Sequence, residues 1–168
     1  MKVIAEIFDQ DIDPNLPVQT VDYHLRRAAR AVLTYEGKLA LIHATKDNYY
    51  KVPGGGIEDG EAIPQALARE ILEEAGCNST VTDCLGMIIE YRSKYELVQI
   101  TYVYKAKVIG EPGDVHLTEK EKSEGFELKW VTLTEAKQLL ESASPTDYGH
   151  KFMTLREKKI IEAYESTL

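Results

Sequence analysis

The sequence predicts an α/β protein whose strands form a mixed sheet. Three observations carry that prediction. Runs rich in β-branched and aromatic residues recur, as in Tyr23 to Tyr35 and Leu97 to Val108. Amphipathic stretches of helical period lie between and after them, one bounded by Pro64 and Gly76 and another opened by Thr134. At 168 residues the chain can bury a core of its own, and no Pro-rich or Ser-rich linker, repeat or low-complexity segment divides it. A single domain over residues 1–168 is therefore the expectation.

The elements follow in chain order. Lys2 to Phe8 alternates enough for a short strand, and Asp9 to Pro17 reads as an acidic turn region. Tyr23 to Tyr35 and Lys38 to His43 are two strands around a Glu36-Gly37 turn. Tyr49 to Val52 is a short strand entering Gly54-Gly55-Gly56, and Asp59-Gly60 supplies turn chemistry beyond it. Pro64 then suits the first turn of a helix, where its missing N–H costs nothing, and Gly76 suits the left-handed residue past its end. Val81 to Arg92 and Leu97 to Val108 form a hairpin. Gly110 to Gly125 is a polar loop, too long for an idle connector. Glu127 to Val131 is a strand, Thr134 caps a helix through Leu140, and Leu155 to Tyr164 is a last amphipathic helix.

The helix after the glycine loop has two faces with different work. Leu67, Ile71 and Ala75 form one wedge, spaced to dock on a sheet. Glu70, Glu73 and Glu74, at i, i+3 and i+4, project from another, and Ala66 among them leaves room for a ligand. Carboxylates on adjacent turns repel unless a cation lies between them, and oxygen-only ligands select a hard divalent ion, Mg²⁺ first and Mn²⁺ next. Arg69 can pair with Glu73 at i+4 and hold that carboxylate in place. An acidic helix face is ordinarily just a solvated surface. The three glycines upstream reverse that reading, because they let the backbone approach a ligand closely.

Composition narrows the partners. A formal charge of −8 argues against a sequence-independent grip on long nucleic acid, but not against a small polyphosphate, since bound metal ions reverse the local charge. The N-terminal residues contain no apolar signal core, and no stretch approaches a membrane span. Cys77 and Cys84 lack metal-site spacing and read as reduced thiols, which gives a cytoplasmic expectation.

From Gly55 to Cys77 the fixed residues are Gly55, Glu61, Arg69-Glu70-Ile71, Glu73-Glu74 and Gly76-Cys77. This pattern resembles the Nudix box, the signature of the Nudix hydrolases, at every fixed position but the last. There the family has Ile, Leu or Val and this chain has Cys77, which when buried behaves as a small hydrophobe. A looser likeness runs over residues 25 to 140 and includes the Trp130-Val131 strand. The resemblance implies an α/β/α sandwich with a mixed sheet, and metal-assisted hydrolysis of a nucleoside diphosphate linked to a group X. By position it implies Glu73 and Glu74 as metal ligands with Glu70 nearby, and the Gly54 carbonyl completing the shell. The general base is then Glu70 or a loop glutamate among Glu119, Glu121 and Glu124, of which Glu121 is preferred; Glu61 braces the loop and helix.

For substrate contacts, Arg30 and Lys51 are candidates to hold phosphate together with Arg26, and Tyr148 and Phe152 to border a base together with Tyr49 and Tyr50. Ser93 stands where many ADP-ribose hydrolases of the family carry proline, and the Pro-Trp-rich array of its NADH hydrolases is absent. Tyr95 lies near the tyrosine of diadenosine polyphosphate hydrolases, a weak marker in a tyrosine-rich chain. The leading expectation is a MutT-like nucleoside triphosphate pyrophosphohydrolase. The alternatives are an ADP-ribose or dinucleoside polyphosphate hydrolase, and a nucleotide sensor without turnover, which would usually have lost box glutamates. An isopentenyl diphosphate isomerase shares the fold but not an intact box. The oligomeric state is left open, a homodimer being one form considered.

Overall fold

Alternation along one long strand, β2 (His24–Tyr35), sets the layers of the protein. Val32 points into one apolar cluster, while Ala29, Ala31 and Leu33 point into a second on the opposite face. The computed structural model describes residues 1–168. β1 (Val3–Ile7) runs parallel to β6 (Asn78–Arg92), which forms the expected hairpin with β7 (Leu97–Ile109). β7 lies parallel to β2 along almost the whole of that strand. β2 turns at Glu36-Gly37 into antiparallel β3 (Lys38–Ala44), with Tyr35 opposite Lys38. β3 is flanked by β4 (Tyr49–Lys51) and, on its other edge, by β8 (Phe126–Val131). The sheet is mixed, as the sequence indicates.

Helix α2 (Ile63–Ala75) covers one face through Leu67, Ile71 and Ala75, joined by Cys77, which is buried as its hydrophobic reading requires. Gly76 ends the helix in the left-handed region at φ 63°, and a Cβ there would run into the Gly113 carbonyl. Helices α4 (Leu133–Ser142) and α5 (Tyr148–Glu165) cover the other face through Ala136, Leu140, Phe152, Ile160 and Ile161. The result is an α/β/α sandwich. No helix is long and apolar enough to cross a membrane.

Several boundaries differ from the sequence expectation, each for a local reason. Asp9–Ile12 forms a short helix, α1, where only a turn was expected; the Asp11 carboxylate accepts from the Phe8 N–H at 2.8 Å and closes its first turn. The glycine loop is itself a strand, β5 (Gly54–Gly56), paired antiparallel with Ala28–Arg30 of β2. The long polar loop contains helix α3 (Glu119–Glu124), capped by Thr118. Thr132, not Thr134, caps α4, because its partner in the capping box is Glu135. Helix α5 starts at Tyr148, well before Leu155, because Asp147 accepts from the N–H groups of Gly149 and His150.

Candidate active site

Three consecutive glycines in β5 let α2 lie against that strand with no side chain between them. A Cβ on Gly55 would overlap the Glu70 carboxylate, so only glycine admits Glu70 to this position. One turn further along α2, Glu74 is 1% exposed. It accepts from the Gly54 N–H at 2.9 Å and from Lys51 Nζ at 2.5 Å. Burial pushes the Glu74 carboxyl up, against the opposing pull of Lys51, the Gly54 N–H and Arg30. A divalent cation beside Glu74 would favour its ionised form.

The third carboxylate comes from the long loop. The backbone N–H groups of Gly113 and His116 donate to the carbonyls of Gly76 and Glu73, which ties the loop to the end of α2. Thr118 and Glu121 then form a capping box: Glu121 Oε2 accepts from the Thr118 N–H at 2.7 Å and from its hydroxyl at 2.8 Å. With that oxygen engaged, Glu121 still offers a ligand atom to a group it forms with Glu70 and Glu74, their oxygens within 4.8 Å of one another. An oxygen-only set of this size fits a hard divalent ion. The Gly54 carbonyl accepts at 3.4 Å from the same Lys51 Nζ that donates to Glu74.

The structure does not place Glu73 in this group. Its carboxylate is about one-third exposed (32%) and lies 3.5 Å from Arg69 Nη1. Among the other loop acids, Glu119 points to solvent against Lys122, while Glu124 lines the cavity and accepts from the Tyr49 hydroxyl.

Arg69 has a different principal partner from the one its spacing indicates. Its Nε and Nη2 grip both oxygens of Glu61 at 2.9 and 3.0 Å, Nη2 reaches the Gly56 carbonyl at 3.1 Å, and Nη1 donates to Glu70 at 2.8 Å. Eight residues of separation and an intervening turn hide the Glu61 pairing from any helical rule. The Arg69 side chain and the Glu58 N–H hold the Glu61 carboxyl below the usual carboxylate range, while Glu61 makes Arg69 hold its proton more firmly. One guanidinium thereby fixes β5, the turn and Glu70 together. Arg69→Lys should cost about 10–100-fold in kcat, the scale typical of a residue that orients ligands, because an ammonium cannot fork to three groups. Circular dichroism and the cooperative melt should stay near wild type; loss of cooperative unfolding would make the residue a fold determinant first.

These groups border one cavity of about 500 Å³, of a size that accepts a nucleotide. Arg30 and Lys51 are on its wall, as is Arg26. Tyr148 and Phe152 are not where a base-bordering role needs them. Phe152 is fully buried in the core, and the Tyr148 hydroxyl donates to Asp9 outside this cavity. The early start of α5 explains this: His150, Met153 and Arg156, three residues apart, face the cavity, which turns Phe152 inward. The aromatic groups at the cavity are Tyr49, stacked on His150 at 4.6 Å, and Phe126, beneath Lys51. The sequence reading also missed Arg92, Gln99 and Arg156. The alternation Glu90, Arg92 within an apolar strand was the available signal for a buried ion pair.

A family model described as NUDIX domain matches residues 24–150. The chain is 26% identical over 133 residues to an RNA pyrophosphohydrolase of Wolbachia pipientis subsp. Culex pipiens (strain wPip), covering 73% of this chain and 76% of that protein. Its structure is similar to a NUDIX hydrolase from Nitrosomonas europaea, with a TM-score of 0.67, 19% identity, and coverage of 86% and 90%. It is similar also to the C. elegans Ap4A hydrolase, with a TM-score of 0.58, 21% identity, and coverage of 86% and 98%. At these identities the two structural likenesses show the fold alone.

Proposed function

The chain belongs to the Nudix family, and from that premise we propose that it is a metal-dependent nucleoside triphosphate pyrophosphohydrolase of the MutT-like kind. It is a hydrolase of phosphoric anhydrides. The reaction proposed here adds water across the α–β anhydride, giving a nucleoside monophosphate and pyrophosphate. The observation that carries the reading is the convergence of Glu70, Glu74 and Glu121 in a cavity whose remaining wall is rich in arginine.

Glu70, Glu74 and the Gly54 carbonyl would hold Mg²⁺ or Mn²⁺, with Glu121 beside them, and the ion when bound neutralises charge on the phosphoryl oxygens. The protein's own groups do the rest. Arg69 fixes Glu70, and Gly54 and Lys51 fix Glu74, so neither carboxylate needs to reorganise during reaction. We assign the role of taking the proton from the attacking water to Glu121. It is the least buried of the three and sits on a short helix at the cavity wall, where a substrate-side water can reach it. Arg30 and Lys51, both nearly buried, orient the phosphate chain. We further propose that residues 1–168 work as one domain, since β1 and most of α5, outside the matched span, pack on the same sheet.

The name of the Wolbachia relative, an RNA pyrophosphohydrolase, raises a second reading, an RNA substrate. A charge of −8 favours the small nucleotide. The test is a Mg²⁺ assay across nucleoside triphosphates, oxidised deoxynucleoside triphosphates, ADP-ribose, dinucleoside polyphosphates and a 5′-triphosphorylated oligoribonucleotide. Pyrophosphate and monophosphate from free triphosphates are expected. Preferential turnover of ADP-ribose or a dinucleoside polyphosphate would overturn the substrate assignment and leave the anhydride chemistry standing.

A further inference from the structure

Four guanidinium groups from three elements meet at the cavity: Arg26 and Arg30 from β2, Arg92 from β6 and Arg156 from α5. Two carboxylates form ion pairs with these arginines, Glu90 and Glu157, both 0% exposed. All four oxygens of those carboxylates are engaged. Glu90 Oε1 accepts from Arg92 at 2.7 Å, and its Oε2 from Arg156 at 3.2 Å and Gln99 at 2.9 Å. Glu157 Oε1 accepts from two nitrogens of Arg156 at 2.9 and 2.7 Å, and its Oε2 from the Val52 N–H at 2.9 Å. Within this set of four cations and two anions two positive charges are in excess; over the whole wall Lys51 and Lys120 add two more, and Glu70, Glu74, Glu121 and Glu124 balance them.

The arginines are not equally satisfied. Arg156 donates three hydrogen bonds and is the structural centre of the network. Arg30 and Arg92 are 5% and 7% exposed, and the Nε of each is buried without a hydrogen-bond partner. Arg26 uses Nη1 on Gln99, while its Nη2 lies over Gly56, where a Cβ would come within 3.2 Å. Arg30 shares its nearest carboxylate, since its Nε lies 3.7 Å from the Glu157 Oε1 that already accepts from Arg156. Glu70 and Glu74 on the same wall offset the excess of positive charge, but they are carboxylates that a divalent ion would engage.

We propose that Arg26, Arg30 and Arg92 form a subsite for a terminal, doubly ionised phosphate, so that the enzyme selects substrates ending in a phosphate monoester. Such a terminus carries about −1.5 to −2 at pH 7, which matches the surplus. The internal phosphates of ADP-ribose and dinucleoside polyphosphates each carry a single charge and do not match it. Planar, multi-donor guanidinium groups suit the three free oxygens of a monoester. The inference takes its nucleotide from the proposed triphosphate reading, but its anion from the arginine geometry alone.

Calorimetry in Mg²⁺ separates the two. Inorganic pyrophosphate is compared with its P1,P2-dimethyl diester, which lacks a monoester terminus. The wild-type protein should bind pyrophosphate about 10–100-fold more tightly, the scale of one or two charge-assisted hydrogen bonds. Arg92→Gln and Arg26→Gln should each remove most of that preference. Arg26 is exposed and reaches Glu90 only through Gln99, so its variant carries the test should Arg92→Gln fail to fold. Equal affinity for the two probes, or a full preference retained in folded Arg26→Gln, overturns the subsite whatever nucleotides are hydrolysed. A preference lost in the variants, in a protein that does not hydrolyse nucleoside triphosphates, upholds the subsite and overturns the triphosphate reading.

Discussion

Glu74→Gln is expected to lower kcat on the order of 10³-fold, with Glu73→Gln costing about tenfold. The two glutamates are neighbours in sequence and the box pattern treats them alike, but the structure does not. Glu74 is buried, aligned by the Gly54 N–H and Lys51, and grouped with Glu70 and Glu121. Glu73 stands outside that group and touches only the rim of the Arg69 fork. A glutamine at position 74 can still accept from the Gly54 N–H, so the fold should persist while the negative charge that would hold a divalent ion is lost. Steady-state kinetics of the two variants at saturating Mg²⁺, with the wild type in EDTA as reference, read the difference. Full turnover in EDTA, or a Glu74→Gln variant near wild type, would remove the metal-dependent mechanism. Equal losses in both variants would mean that Glu73 turns into the site when substrate binds.

What could be read from the sequence was local. The two faces of α2 follow from a 3.6-residue repeat, and the β2–β3 and β6–β7 pairs from strand composition around short connections. Helix ends were less legible, although their signals were present: Thr118 and Thr132 each precede a glutamate by three residues, and both capping boxes form. The Asp147 cap was overlooked because the apolar repeat of α5 is plainest after Leu155. That error placed Phe152 at the cavity rim when it belongs to the core. The arginine wall was not legible at all. Arg156 meets Glu90 across a separation of 66 residues, and Glu157 meets the Val52 N–H across 105, distances that no local pattern encodes. Arg69 and Glu61 show the intermediate case, with both residues singled out and their pairing missed.

Arg156→Met should give the largest loss of stability of any change at the cavity. Arg156 is 1% exposed and holds two carboxylates that are 0% exposed. Methionine replaces much of its volume but none of its donors, so the change isolates the charge. Removing one partner of a buried ionic group costs about 3–5 kcal/mol, because the carboxylates left behind are neither solvated nor paired. At this chain length each kcal/mol moves the thermal midpoint by about 2–4 °C, so a fall on the order of 10 °C is expected. The pH dependence identifies the cause. Burial alone would raise the Glu90 carboxyl, but Arg156 and Arg92 outweigh it and hold the group below the usual carboxylate range. A depressed carboxyl contributes stability that is present above its unfolded pKa and is lost as pH falls through its folded one. Without Arg156 the Glu90 carboxyl rises, so that contribution is lost at a higher pH than in the wild type. The gap in midpoint should therefore be widest near neutrality and narrow in acid, where a protonated Glu90 needs no cation. Thermal melts of both proteins from about pH 4 to 8 test this. Equal midpoints at neutral pH would show that the ion pairs only offset their own desolvation. A gap that does not narrow on acidification would take Glu90 out of the explanation and leave lost packing of the Arg156 stem.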